Sequence, residues 1–163
     1  MIAAPNHEEF LEELRRGHRR ELYVGALLLE TGLAVQVPLL EEAATPWEGK
    51  RFAEQRDVIV DGLIVEVKGR TCVFTCAEDF PYPTVNICTV KRWEARREKP
   101  VAFVMVSLPT HALLVVSSRT FKTWEIADSR DGRRDGWVTP TYRAPKEHLR
   151  PFADLVEALR GRA

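Results

Sequence analysis

The 163-residue sequence predicts an α/β (α+β) fold, a central mixed β-sheet flanked by helices on both sides. Three observations carry this expectation. Both ends read as amphipathic helix, the middle is rich in short β-branched runs, and two of those runs are joined by Asp61-Gly62. Helical ends around a strand-rich middle bury their apolar faces as layers, helices against a sheet.

Taken in order, residues 8–31 carry Leu11, Leu14, Leu22, Ala26 and Leu29 at helical spacing, with Gly32 as a natural stop. This is one helix, or two meeting near Gly17. Residues 33–38 then alternate like a short strand, and residues 41–54, with Pro46 and Gly49, lack periodicity and read as a loop. Apolar runs at 57–60 and 63–67 flank Asp61-Gly62. Pro81 and Pro83 break the chain before an expected helix at about 86–98. Residues 101–107 and 112–117 read as buried strands. Asp-Gly recurs at 131–132 and 135–136. An amphipathic helix carrying Leu149, Phe152, Leu155, Val156 and Leu159 closes the chain.

Composition bounds the function. The length suits a single domain over residues 1–163. At 45% hydrophobic and 29% charged, the chain is too apolar for a disordered segment. No apolar run approaches the roughly 20 residues that span a bilayer, so no membrane role is expected. The acidic start (Glu8, Glu9, Glu12, Glu13) lacks the basic-then-apolar order of a signal peptide. Three cysteines, an odd count, argue against a disulfide framework and for a reducing, cytoplasmic setting. Cys72, Cys76 and Cys88 lack a fourth ligand at zinc-finger spacing and read as buried thiols. Charge balances at 24 basic against 24 acidic residues, which excludes a blanket polycation but allows a local basic face. Lys91, Arg92, Arg96, Arg97 and Lys99 form the densest late basic cluster.

Residues 56–68 are the most informative stretch. Asp-Gly between β-branched runs signals a two-residue type I′ hairpin. With Asp61 and Gly62 as the turn, Val60 faces Leu63, Ile59 faces Ile64, Val58 faces Val65, and Asp57 lies opposite Glu66. Lys68 shares the face of Glu66, while Val58, Val60, Leu63, Val65 and Val67 make the other face pure core. Two opposed carboxylates lie about 4.5–5.5 Å apart at Cβ and repel. That spacing suits a hard divalent cation, and Mg²⁺ is usually held by one or two carboxylates with waters and phosphate. The bland alternative is a surface ion pair between Lys68 and Glu66 on a sheet edge.

Asp57 followed by Glu66-Val67-Lys68 across a short hairpin resembles the PD-(D/E)XK nuclease superfamily. Arg56 stands where many members have proline. Gly17-x-x-x-Glu21 on the preceding helix is similar to the helix that carries an additional glutamate in many members. Glu21 shares a helical stripe with Val24, Gly25, Leu28 and Gly32, whereas the competing Glu30 lies near the helix C-terminus, where a carboxylate is disfavoured. The resemblance covers residues 15–70 well and 85–118 in outline, and it implies a restriction-endonuclease-like core.

The resemblance also implies Mg²⁺-dependent hydrolysis of phosphodiester bonds in DNA, with Mn²⁺ an allowed substitute. It assigns Asp57, Glu66, the Val67 carbonyl and Glu21 to the metal and Lys68 to the attacking water. Phosphate contacts supply most non-specific affinity for DNA. Candidates for them are Arg70, Lys91, Arg92, Arg96 and Arg97, with Lys50 and Arg51 from the loop that also carries Trp47 and Phe52. The chain start resembles Holliday-junction resolvases in particular, although their serine-containing loop is not evident between 38 and 56. A homodimer is compatible with this reading. The non-enzymatic alternative is a DNA-binding or assembly module on the same fold.

Overall fold

In the computed structural model, residues 7–40, 57–130 and 138–162 are described. Helix α1 runs His7–Glu30 without interruption at Gly17. It stops where Gly32 takes a left-handed conformation (φ 86°), its N–H donating to the Leu29 carbonyl at 2.9 Å. Strand β1 (Val35–Gln36) is shorter than the alternation at 33–38 suggests. The expected loop at 41–54, with Lys50 and Arg51, lies outside the described residues.

The hairpin forms as its sequence dictates. Strand β2 (Val58–Val60) pairs antiparallel with β3 (Leu63–Arg70), Val58 against Val65, Ile59 against Ile64 and Val60 against Leu63. Asp61 (φ 49°) and Gly62 (φ 77°) both adopt positive φ, the signature of a type I′ turn.

The segment after Pro83 departs from expectation. Residues 84–89 are strand β4, and only Val90–Ala95 form helix α2. Thr84, Val85, Ile87 and Thr89 are β-branched and find a partner strand far along the chain. Thr89 then caps the helix, its side-chain oxygen accepting from the Arg92 N–H at 3.2 Å. Strands β5 (Ala102–Ser107) and β6 (Leu113–Ser117) follow as predicted. Beyond them come a 3₁₀ turn at Ser118–Thr123, strand β7 (Glu125–Arg130) and strand β8 (Val138–Pro145). A second 3₁₀ turn (Lys146–His148), strand β9 (Arg150–Pro151) and helix α3 (Phe152–Arg160) complete the described chain. Leu149 therefore precedes the closing helix instead of belonging to it.

The central sheet is mixed and six-stranded, in the order β1-β2-β3-β5-β6-β9. Its β3–β5 pair is parallel and its other pairs antiparallel. Its two faces bury different cores. On one face α1 and α3 bring Val24, Leu28, Leu155, Val156 and Leu159 onto Val58, Val60, Val65 and Val104. On the other, Phe103, Met105, Leu114 and Val116 meet α2 and a second antiparallel sheet, β4-β8-β7. Helices flank both sides, as expected, but the second face is covered chiefly by this small sheet.

Candidate functional site

Alternation along β3 sends Val65 and Val67 toward α1, so Glu66 and Lys68 point to the opposite face, under α2. Their parallel neighbours on β5 are Phe103 and Met105, which make the surroundings of both charges apolar. Continuing the β2–β3 register by one position sets Asp57 opposite Glu66. The geometry read from the hairpin is therefore present, and it is buried: the Glu66 side chain is 2% exposed. A surface ion pair is excluded by that figure.

The carboxylates do not stand alone. Lys68 Nζ contacts Glu66 Oε1 closely, and Arg92 lies 3.5 Å from the same oxygen. Arg96 spans the pair, one terminal nitrogen 2.7 Å from Glu66 Oε2 and the other 3.1 Å from Asp57 Oδ2. Local structure explains the convergence. Arg92 and Arg96 are four residues apart on one side of α2. The helix ends at Ala95 because Arg96 leaves the helical path (φ −73°, ψ 125°). Trp93, three residues before Arg96, is anchored in the aromatic core, stacked on Phe121 with ring centroids 4.7 Å apart. The arginine contacts are poor in angle: among the described residues neither terminal Arg96 nitrogen has an aligned hydrogen-bond partner, and Lys68 is the cation that holds Glu66 most closely.

The two carboxylates are driven apart electrostatically. Burial, reinforced by the Glu66 charge, raises the Asp57 pKa above the ordinary carboxylate range even with Arg96 beside it. Burial would raise Glu66 too, but the Lys68, Arg92 and Arg96 charges outweigh it and hold Glu66 low. Burial lowers the Lys68 pKa against the pull of Glu66.

A raised folded-state pKa means that the stability contributed by Asp57 is fully present below the unfolded pKa. It is lost as pH rises through the folded value. Wherever Asp57 is ionised in the folded protein, its charge is therefore unfavourable. Asp57→Asn is expected to be as stable as wild type or more stable at pH 7, by about 0.2–1 kcal/mol. The advantage should shrink as the pH falls to about 4, near the ordinary carboxylate pKa. Urea unfolding of both proteins at the two pH values checks this. A clearly less stable mutant at pH 7 would mean that the attraction of Arg96 for Asp57 outweighs burial and the repulsion from Glu66.

The other sequence candidates distribute as follows. Glu21 is buried on the α1 side, on the face opposite Glu66, with His18 Nδ1 3.4 Å from its Oε2. It does not join Asp57 and Glu66, and among the described residues no three His, Cys, Asp or Glu side chains converge as a metal cluster. Arg20, its neighbour, lies flat on Gly69, where a Cβ would come within 2.8 Å of the guanidinium carbon. The Val67 side chain packs into the α1-side core, leaving its carbonyl as its available oxygen. Arg70 is tied down, donating to the Asn86 carbonyl. Lys91 and Arg97 are exposed, whereas Arg92 and Arg96, expected on a basic outer face, turn inward to the carboxylates.

The expectation of three buried thiols is corrected: Cys88 is buried, Cys72 half-buried and Cys76 exposed. Burial, then the nearby Glu66 charge, pushes the Cys88 thiol up to about 11, which makes it unreactive. Sequence reasoning places Arg92 and Arg96 in the right segment, and the structure adds their contacts with Glu66 and Asp57. The signal that could have found them is the four-residue spacing of the two arginines beside Trp93.

Comparison with known proteins gives no match to a family model, to a curated protein or to a solved structure. Among the described residues, no helix is long and apolar enough to cross a membrane.

Proposed function

We propose that the Asp57–Glu66–Lys68 constellation is a Mg²⁺-dependent nuclease site acting on phosphodiester bonds in DNA. The observation that carries this reading is the opposed pair of carboxylates, Glu66 buried at 2% exposure and Asp57 at 13%, with Lys68 beside Glu66. Such oxygens are the donors a hard divalent cation requires, and two carboxylates are as many as Mg²⁺ usually takes. Asp57 and Glu66 would hold the ion, with the Val67 carbonyl as a further oxygen. When bound, the cation supplies charge neutralisation at the phosphodiester and acidifies water. Lys68, held beside Glu66, positions the attacking water and donates to the phosphate. Lys91 and Arg97 are the exposed cations nearest in sequence for the DNA backbone. The central mixed sheet with helices on both faces is compatible with a restriction-endonuclease-like core, and branched DNA of the Holliday-junction type is one candidate substrate.

Lys68→Ala tests the reading. Arg92 and Arg96 still compensate Glu66, so the variant is expected to fold and to bind DNA. Its Mg²⁺-dependent cleavage of supercoiled plasmid should fall by about 10²–10³-fold, the usual effect of removing one preorganised electrostatic group. Wild-type turnover would remove Lys68 from the mechanism.

One observation favours a second reading, a non-catalytic DNA-binding or assembly module. Lys68, Arg92 and Arg96 already compensate the two carboxylates, as a purely structural ion cluster would. Cleavage assays on supercoiled, linear, single-stranded and branched DNA, with Mg²⁺ and with chelator, separate the two.

A further inference from the structure

The Arg96 guanidinium occupies the space between the two carboxylates, one terminal nitrogen on each. We propose that Arg96 is the resident counter-cation of this pair, which a divalent ion displaces, and that the displaced guanidinium then serves as a phosphate contact. This rests on the cation-binding reading of the site and adds a coupling to it. The charges decide the matter. Asp57 and Glu66 supply two negative charges, and Lys68, Arg92 and Arg96 supply three positive ones within 3.5 Å of them. Adding a divalent cation without moving anything would set five positive charges against two in a site walled by Phe103 and Met105. Arg92 at 35% and Lys68 at 22% exposure reach water, which screens their share of the excess, whereas Arg96 is 9% exposed. The positive charge that an incoming ion opposes most strongly is therefore that of Arg96.

Arg96 is the group built to leave. Lys68 sits within the strand ladder of β3, and Arg92 approaches only Glu66, 3.5 Å from the oxygen that Lys68 already holds, so neither lies between the two carboxylates as Arg96 does. Arg96 lies just past the end of the helix, in extended backbone, and neither terminal nitrogen makes an aligned hydrogen bond among the described residues. Its neighbour Arg97 is already exposed, so the same turn can present two guanidinium groups to a phosphodiester. A phosphodiester brings one negative charge and the fork geometry that Arg matches. Cation and phosphodiester therefore reinforce each other's binding, and by linkage the factor is the same in both directions.

The test is a binding measurement and needs no turnover. Calorimetric titration with Mn²⁺ compares wild type with Arg96→Gln, which removes the competing charge and keeps polarity. Arg96→Gln is expected to bind Mn²⁺ about tenfold more tightly. Fluorescence polarisation with a labelled duplex then compares chelator with Ca²⁺. The wild-type gain in DNA affinity on adding Ca²⁺, about tenfold, should largely disappear in the variant. Equal Mn²⁺ affinity in the two proteins overturns the displacement while leaving a two-carboxylate cation site in place. Absence of Mn²⁺ binding in both folded proteins overturns the displacement and the cation-binding reading together. A measurement on the wild-type chain does not depend on how the variant folds: the Arg96 Nε–H resonance should exchange faster with water once Ca²⁺ saturates the protein. An unchanged exchange rate at saturation overturns the proposal.

Discussion

Glu66→Ala should destabilise the protein by about 3–5 kcal/mol, because it leaves the nearly buried Arg96 and the partly exposed Lys68 and Arg92 without their shared counter-charge. Glu66 is 2% exposed and meets Lys68, Arg92 and Arg96. Typical domains have only about 5–15 kcal/mol of stability, so much of the total is at stake. The loss is also pH-dependent. The lowered Glu66 pKa contributes stability that is present above the ordinary carboxylate pKa and lost as pH falls through the folded value. Wild type and mutant should therefore converge in acid. Combining Glu66→Ala with Arg96→Ala should cost less than the sum of the two single changes, since they share one contact. Denaturant midpoints of the four proteins measure this. A Glu66→Ala loss below about 1 kcal/mol would mean that the cations reach water, as surface pairs do. For the same reason, lost cleavage in Glu66→Ala reports on chemistry only when folding is monitored beside it, and Lys68→Ala is the cleaner variant.

Trp93→Ala should cost about 3–5 kcal/mol, as large aromatic truncations in a core do. Trp93 is buried and touches rings from both sheets: Phe103 on β5 at 6.2 Å and Tyr142 on β8 at 6.2 Å, besides Phe121 and Trp124. Its loss removes the anchor of the short helix that aims Arg92 and Arg96. Thermal melts should show the destabilisation, and near-ultraviolet circular dichroism should show the broken aromatic cluster. A shift in melting temperature of a degree or less would mean that the neighbouring rings close the gap.

The hairpin is legible in the sequence because its information is local. Asp61-Gly62 specifies positive φ at both turn positions, and a two-residue turn fixes every pair that follows, including Asp57 with Glu66. Segment 84–89 is not legible for the opposite reason. Val85, Cys88 and Thr89 become part of a strand by pairing with Ala144, Tyr142 and Thr141, a partnership that no local pattern announces. The edge strand β7 escapes notice because it is largely exposed and polar, without the apolar alternation of a half-buried strand. The inward turn of Arg92 and Arg96 follows from how Trp93 docks α2 against rings from distant segments, a contact that the basic spacing alone does not announce. Glu21 is buried, as its helical stripe suggests, but the sheet has two faces, and periodicity on the helix does not say which one carries the glutamate of β3.

The pairing of β4 with β8 also makes the enclosure of the site a long-range property of the chain. Residues 71–101, which cross over from β3 to its parallel neighbour β5, include β4 and α2, and β4 is held by residues 138–145. The opposition of Asp57 to Glu66 is fixed within the local β2–β3 pairing, whereas the cover that brings Arg92 and Arg96 onto it rests on a strand far along the chain. A substitution in β8 that weakens the small sheet therefore acts on the enclosure of the carboxylate pair and not on its register.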